Sequence, residues 1–175
     1  VIVYLNGGFG VGKTTVAEVL LAELRPAMLF DPELVGGILG DTVSGIDPRS
    51  DFQQYPAWSA LIQTFLGELR RFYLAVTIVV PMSILDDDKR CDVVKRMRDV
   101  DQEFYDFTLV ASRDELRRRI LERPLKASSR EWCLRRLNDA PSASSFEQSC
   151  AIDTTRLAPR EVAASILATI RKRRA

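Results

Sequence analysis

Apolar positions along the chain fall into two spacings. Mostly apolar runs at residues 1–5, 27–30, 75–80, 104–110 and 150–152 read as strands, and the one at 75–80, without polar alternation, as a central strand buried on both faces. Between them, apolar residues recur every three or four positions, which predicts amphipathic helices. One such face carries Val16, Val19, Leu20 and Leu24. A long one carries Trp58, Leu61, Ile62, Phe65, Leu66, Leu69 and Phe72. Shorter faces carry Val93, Val94 and Met97, then Leu116 and Ile120, and the last holds Val162, Ile166, Leu167 and Ile170. Residues 32–39 predict a helix that Gly36, Gly37 and Gly40 make loose or short. Residues 41–55 are polar and turn-rich, as expected of a surface excursion. Asp86, Asp87 and Asp88 open a helix with charges that suit its dipole. Ser112 and Glu115 form a capping box for the next. A polar break at 124–130, a short helix at 131–139 and a small-residue loop at 140–145 precede the last strand. Strands alternating with helices imply parallel βαβ units with right-handed crossovers. The expected fold is therefore α/β, a three-layer α/β/α sandwich forming a single domain over 1–175.

Composition narrows the chemistry. The chain has 175 residues, 46% of them hydrophobic, and a net charge of +1. That balance argues against bulk electrostatic binding to nucleic acid, and the basic and aromatic residues also lie in separate stretches. Cys91, Cys133 and Cys150 follow no metal spacing and read as reduced thiols in the cytoplasm. The longest apolar stretch, about 74–82, is too short to span a bilayer, and the first residues read as a core strand, not a signal peptide. There is no histidine. Proton transfer must then use a carboxylate, Lys, Tyr or water.

The strongest local signal lies between the first strand and the first helix. Gly7-Gly8-Phe9-Gly10-Val11-Gly12-Lys13-Thr14 matches the P-loop (Walker A) pattern G-x-x-x-x-G-K-T, with Thr15 following. Glycines let successive backbone N–H groups point into one concavity, which with the helix N-terminus makes an anion site for a triphosphate. Lys13 is expected to reach the β- and γ-phosphates of ATP, and Thr14 to ligate Mg²⁺. The dinucleotide fingerprint G-x-G-x-x-G fails here, because its third glycine would fall on Lys13. No Asn-Lys-x-Asp guanine reader occurs anywhere in the chain.

Three further constellations bear on chemistry. Asp31 ends the second predicted strand, where it suits an acceptor-hydroxyl base or a holder of Mg²⁺ or its bound water; a plain helix cap is the simpler alternative. Arg119 and Arg123, four residues apart and followed by Lys126, Arg130, Arg135 and Arg136, suit a basic lid at about 117–136 that closes over the phosphates, against the alternative of a solvated basic face. Asp51, Phe52, Gln53, Tyr55 and Trp58 combine rings, amides and a carboxylate suited to a sugar-like or flat substrate, although Phe52 and Trp58 also suit the core. No carboxylate ends the strand that runs into Pro81-Met82-Ser83, so the usual Walker B group is missing.

The blocks Leu5-Asn6-Gly7-Gly8-Phe9-Gly10, Phe30-Asp31-Pro32-Glu33, Asp51-Phe52-Gln53-Gln54-Tyr55-Pro56-Ala57-Trp58, Val79-Val80-Pro81-Met82 and Phe107-Thr108-Leu109-x-Ala111-Ser112 resemble the bacterial tunicamycin-resistance proteins. More distantly, Leu116-x-x-Arg119-x-x-x-Arg123 and Ile152-Asp153-Thr154-Thr155-x-Leu157 resemble small P-loop kinases such as gluconate and shikimate kinases. The wider resemblance implies a five-stranded parallel sheet in the order 2-3-1-4-5. It also implies adenine held between the lid arginine Arg119 and the loop containing Asp153, Thr154 and Arg156. The expectation is an ATP-dependent phosphotransferase acting on a hydroxyl of tunicamycin or a related nucleoside or sugar compound, with ATP and Mg²⁺ as cofactors. The alternative is an ATP-gated protein that sequesters the drug unmodified. The resemblance further implies peripheral membrane association through an amphipathic C-terminal region; this chain is shorter there and closes with Arg171-Lys172-Arg173-Arg174, basic residues that also offset the helix dipole.

Overall fold

A computed structural model describes residues 1–141 and 149–174, so part of the small-residue loop expected at 140–145 lies outside the described residues. Five parallel strands form one sheet, β1 (Ile2–Gly7), β2 (Ala27–Leu29), β3 (Thr77–Pro81), β4 (Phe104–Val110) and β5 (Cys150–Asp153). Their order is β2-β3-β1-β4-β5, the order the wider resemblance implied. β1 is central, with Leu5 beside both Pro81 and Phe107, and Gly7 beside Leu109.

The alternation of side chains along β1 feeds two cores. Val3 and Leu5 face α1 (Lys13–Glu23), α5 (Arg113–Glu122), α6 (Ala127–Arg135) and α7 (Pro159–Arg174). Ile2 and Tyr4 face the other way, towards α2 (Pro32–Val43), α3 (Trp58–Phe72) and α4 (Asp87–Val100). Helices therefore cover both faces, as an unalternating apolar sheet requires. Beneath the second layer an Arg90–Asp106 ion pair is buried.

Two elements depart from expectation. α2 runs to Val43 instead of stopping near residue 39. Gly36 does not loosen it: a Cβ there would overlap the Phe52 ring, so the missing side chain permits a close approach. The polar break expected over 124–130 is shorter, because α6 begins at Ala127.

Side-chain caps fix the starts of α2, α4 and α5. The Asp31 carboxylate accepts from the Glu33 N–H at 2.9 Å, with Pro32 at the first helical position. Asp86 caps α4 through the Lys89 N–H. Only half of the capping box expected at α5 forms. Ser112 Oγ accepts from the Glu115 N–H, while the Ser112 N–H donates to Thr155 Oγ1 and the Glu115 carboxylate turns to Arg118 and Arg119. In the last turn of α7, Arg174 pairs with Glu103 and Arg173 lies over the Tyr105 ring. No helix among the described residues is long and apolar enough to cross a membrane.

Candidate functional site

The carboxyl ends of the parallel strands collect the loop after β1, Asp31 after β2, the segment after β3 and residues 154–159 after β5. In an open α/β sheet this edge is where ligands bind. A cavity of about 820 Å³ opens there, lined by residues 9–16 among others.

The loop after β1 is shaped by glycine at the points where another residue would not fit. Gly7 has φ 146°, and a Cβ on it would come within 2.5 Å of the Leu109 carbonyl oxygen. Gly12 has φ 100° and caps α1, and a Cβ there would meet nothing within 4 Å. The loop thus presses closely on β4 at Gly7 and stands open at Gly12, beside the exposed N-terminus of α1. This combination fits a bound phosphate chain. Lys13 reinforces the fit. Its ammonium donates to the Gly7 and Gly8 carbonyl oxygens at 2.9 and 3.0 Å, and burial lowers its pKa to about 8. An ammonium whose hydrogen bonds go to neutral carbonyls, and whose charge burial disfavours, suits an incoming anion. Thr14 and Thr15 follow on the exposed start of α1 and line the same cavity, and Thr14 is the residue suited to Mg²⁺. Among the described residues no cluster of three or more acidic, Cys or His side chains is arranged to hold a metal by itself.

Arg119 sits at the back of this cavity and is already committed. Its guanidinium donates to Glu115 at 2.6 Å, to the Val11 carbonyl at 3.2 Å, and to the Thr154 hydroxyl and carbonyl at 3.2 and 2.7 Å. It therefore ties the P-loop to the segment after β5. Arg118 and Arg119 together hold the Glu115 carboxyl down to about 2. Arg123 also lines the cavity, but the expected one-face pairing with Arg119 does not form. α5 stops at Glu122, and Arg123 caps it with extended backbone, φ −71° and ψ 142°. The segment 117–136 is thus the end of α5, a short link and α6. Thr154 and Arg156 line the cavity, whereas Asp153 turns to Thr155, whose hydroxyl and N–H hold its carboxyl below the ordinary value.

A second cavity of about 190 Å³ adjoins the first, and Phe9, Glu33 and Ser83 border both. The 3₁₀ turn Phe52–Gln54 forms one wall. Asp51 caps that turn through the Gln53 N–H at 2.9 Å, and the Gln53 amide donates to the Ser83 carbonyl at 2.8 Å. α6 and the turn after it form the opposite wall. The Trp132 ring meets Phe9 edge-on at 4.7 Å, and Arg136 lies over Trp132 while pairing with Asp139 at 2.7 Å and reaching Asp51 at 3.9 Å.

Asp51, Phe52 and Gln53 thus line the smaller cavity, and Asp31 lines the larger one. Trp58 and Tyr55, expected beside the substrate, border neither. Trp58 is 0% exposed and Tyr55 4%, both in the core beneath α2 and α3. The Trp58 indole N–H donates to the Pro32 carbonyl, and its ring packs edge-on against Phe52 at 5.4 Å. The block that looked like a ligand reader is half core, because its helix face buries Trp58 with Ile62 and Leu66.

Glu33, Ser83 and Trp132 were not singled out by sequence as cavity walls, and Phe9 was expected only within the nucleotide-binding loop. Glu33 opens a helix, where a carboxylate needs no explanation beyond the dipole. Trp132 lies 123 positions from Phe9 (132 − 9), and no spacing rule joins them.

Comparison with known proteins adds the following. The family model described as an AAA domain matches residues 2–143. The structure of the tunicamycin resistance protein of Deinococcus radiodurans superposes with a TM-score of 0.74 at 28% identity, covering 97% of this chain and 94% of that one. A gluconokinase from Sinorhizobium meliloti gives 0.64 at 20% identity, with 98% and 91% covered. Shikimate kinase from Acinetobacter baumannii, in complex with shikimate, gives 0.60 at 20% identity, with 98% and 93% covered. The two kinases speak for the fold alone. No curated protein matches the chain.

Proposed function

The chain belongs to the AAA domain family, and from that premise we propose that it is an ATP-dependent phosphotransferase whose acceptor is a hydroxyl of tunicamycin or of a related nucleoside or sugar compound. The observation that carries the reading is the junction of two cavities, one built around the P-loop and a smaller one beside it, sharing Phe9, Glu33 and Ser83. A triphosphate in the first and a hydroxyl compound in the second would meet at that junction, the arrangement that transfer in line requires. The 28% identity to the Deinococcus radiodurans protein supports the choice of acceptor.

In this reading the backbone N–H groups of residues 8–15 and the Lys13 ammonium grip the phosphates, and the Thr14 hydroxyl takes Mg²⁺. Mg²⁺, when bound, supplies charge compensation to the phosphates. With Mg²⁺ bound, Asp31, pinned by its cap bond at the edge of the larger cavity, would be the carboxylate to hold a water beside it. Arg123, at the end of α5, balances charge near the γ-phosphate. Arg119, with Thr154 and Arg156, forms the wall for the base. Asp51, Gln53, Phe52 and Trp132 hold the acceptor. The same reading has the protein act in the cytoplasm, with any peripheral contact with a membrane falling to Arg171 and Lys172 of α7.

Incubation with γ-labelled ATP and tunicamycin tests the proposal, with labelled drug of increased mass as the expected product. No product from protein that still binds nucleotide would sink it. One observation favours a second reading, sequestration without modification: β3 runs into Pro81, Met82 and Ser83 with no carboxylate at its end. Drug recovered unmodified, bound one per chain only in the presence of ATP, would establish that reading instead.

A further inference from the structure

The flank of the molecule beside the edge strand β2 carries an apolar face that no described residue covers, and we propose that a second copy of this chain packs on it, forming a two-fold dimer through α3 and α2.

The spacing of α3 makes the face. Trp58, Ile62 and Leu66 point into the core and are wholly buried. Gln63, on another side of the helix, accepts from Arg96 of α4, so α4 covers that side. Leu61, Phe65, Glu68 and Phe72, three or four positions apart, share a stripe that looks away from both. The Phe65 ring stacks at 5.1 Å on Phe30, which directly follows β2, and this sets the stripe beside the edge of the sheet. α2 starts from the same corner, where the Pro32 carbonyl accepts from the Trp58 indole. Its Val35, Leu39 and Val43 pack on the core, which turns Leu34 and Ile38, one helical turn apart, to the outside.

Leu34, Ile38, Leu61, Phe65, Phe72 and Leu74 are each between 41% and 72% exposed. Together they leave roughly 800 Å² of mostly apolar surface in water, beyond the roughly 300–600 Å² of the largest patch on a typical monomer and close to one partner's share of a stable interface. The charges at the rim point to the same chain as the partner. Glu68 and Arg71, 3.7 Å apart and both more than half exposed, put one charge of each sign there. Such a rim selects neither an acidic nor a basic partner. Antiparallel packing of two α3 helices across a two-fold axis lets each Arg71 meet the other copy's Glu68, with the apolar positions between them. An anionic lipid surface would call for several unpaired cations here, yet neighbouring Arg70 is taken up by Asp101 and the Val76 carbonyl. None of the six apolar residues borders either cavity, so association leaves both open whether or not phosphate is transferred. α2 also supplies Glu33 to both cavities, and the second copy would brace that wall from outside.

Light scattering on a sizing column, over about 1 to 100 μM native protein, tests this. The expected mass is twice that of the chain, falling on dilution. Ile38→Glu and Phe72→Glu each bring a charge from both copies, so an isologous contact meets every substitution twice. The dimer dissociation constant should rise about a hundredfold or more for each. ATP affinity by calorimetry should stay within about threefold, which shows that the variants are folded. Leu121→Glu, at an exposed leucine of α5, should leave the dimer intact. Glu68→Arg should weaken the dimer about tenfold, and adding Arg71→Glu should restore it. The proposal is overturned if native protein is monomeric at about 100 μM, if the dimer survives both glutamate substitutions, if Leu121→Glu dissolves it equally, or if the charge swap restores nothing. Monomer that floats with vesicles of phosphatidylcholine and phosphatidylglycerol, and no longer does so after Ile38→Glu or Phe72→Glu, would overturn it in favour of a lipid surface.

Discussion

The two adjoining cavities are built by different means. Main chain makes the larger one: Gly7 and Gly12 set the loop, carbonyls hold Lys13, and Arg119 reaches the backbone of Val11 and Thr154. Side chains make the smaller one, brought from the P-loop, α2, the turn at 52–54, the segment after β3 and α6. A pocket made of main chain needs particular backbone angles, and those leave a glycine spacing in the sequence. A pocket made of side chains from five segments leaves none. It follows that the first cavity should tolerate little change and the second should be open to retuning of what it accepts.

Substitutions probe that contrast, in falling order of effect. Trp58→Ala tests whether the acceptor wall stops at Phe52. The indole is wholly buried and hydrogen-bonded, so stability should fall by about 3–5 kcal/mol, read as a lower denaturant midpoint. A variant that keeps its stability but loses acceptor affinity would return Trp58 to the site. Lys13→Ala removes the one ammonium of the loop and should weaken nucleotide binding by about 2–3 kcal/mol, near a hundredfold, by titration calorimetry. Acceptor affinity measured without nucleotide should not move. If both affinities fell together, the two cavities would not be separable.

A smaller effect comes from pH. The Lys13 pKa is depressed to about 8 by burial, so the ammonium is present below that value and is lost as pH rises through it. Triphosphate favours the charged form, and binding above pH 8 must take up a proton. Affinity should then fall by about tenfold per pH unit, with proton uptake visible as a buffer-dependent binding enthalpy. Smallest of all, Trp132→Ala removes an edge-on ring partner of Phe9 and should weaken acceptor binding by about 0.5–1.5 kcal/mol, leaving nucleotide affinity unchanged.

Most of the fold was legible because its signals are local. The β4 run was read to the residue, and the switch from β1 through glycine to helix marked the P-loop. Where expectation failed, a distant partner decided. Gly36 looked like a weak point in α2, yet it makes room for Phe52, sixteen positions on (52 − 36). Arg119 and Arg123 had the spacing of one helix face, but α5 ends between them. Tyr55 and Trp58 resembled ligand readers by composition, yet both lie in the core that α2, α3 and α4 share. Glu33 was hidden for the opposite reason, since its position at a helix start already had a sufficient explanation.

The segment after β3, which borders both cavities at Ser83, carries a last consequence. The Asn6 side chain, wholly buried, donates to the Ile84 carbonyl at 3.1 Å and accepts from the Ile84 N–H at 3.0 Å. A side chain thus completes a two-bond pairing that the backbone of β3 has already left. By connectivity residue 84 belongs to a loop, but its amide is locked to the central strand. In hydrogen exchange it should behave as sheet, opening only when the domain unfolds. The rim that Ser83 gives to both cavities is therefore anchored, one residue on, to the central strand.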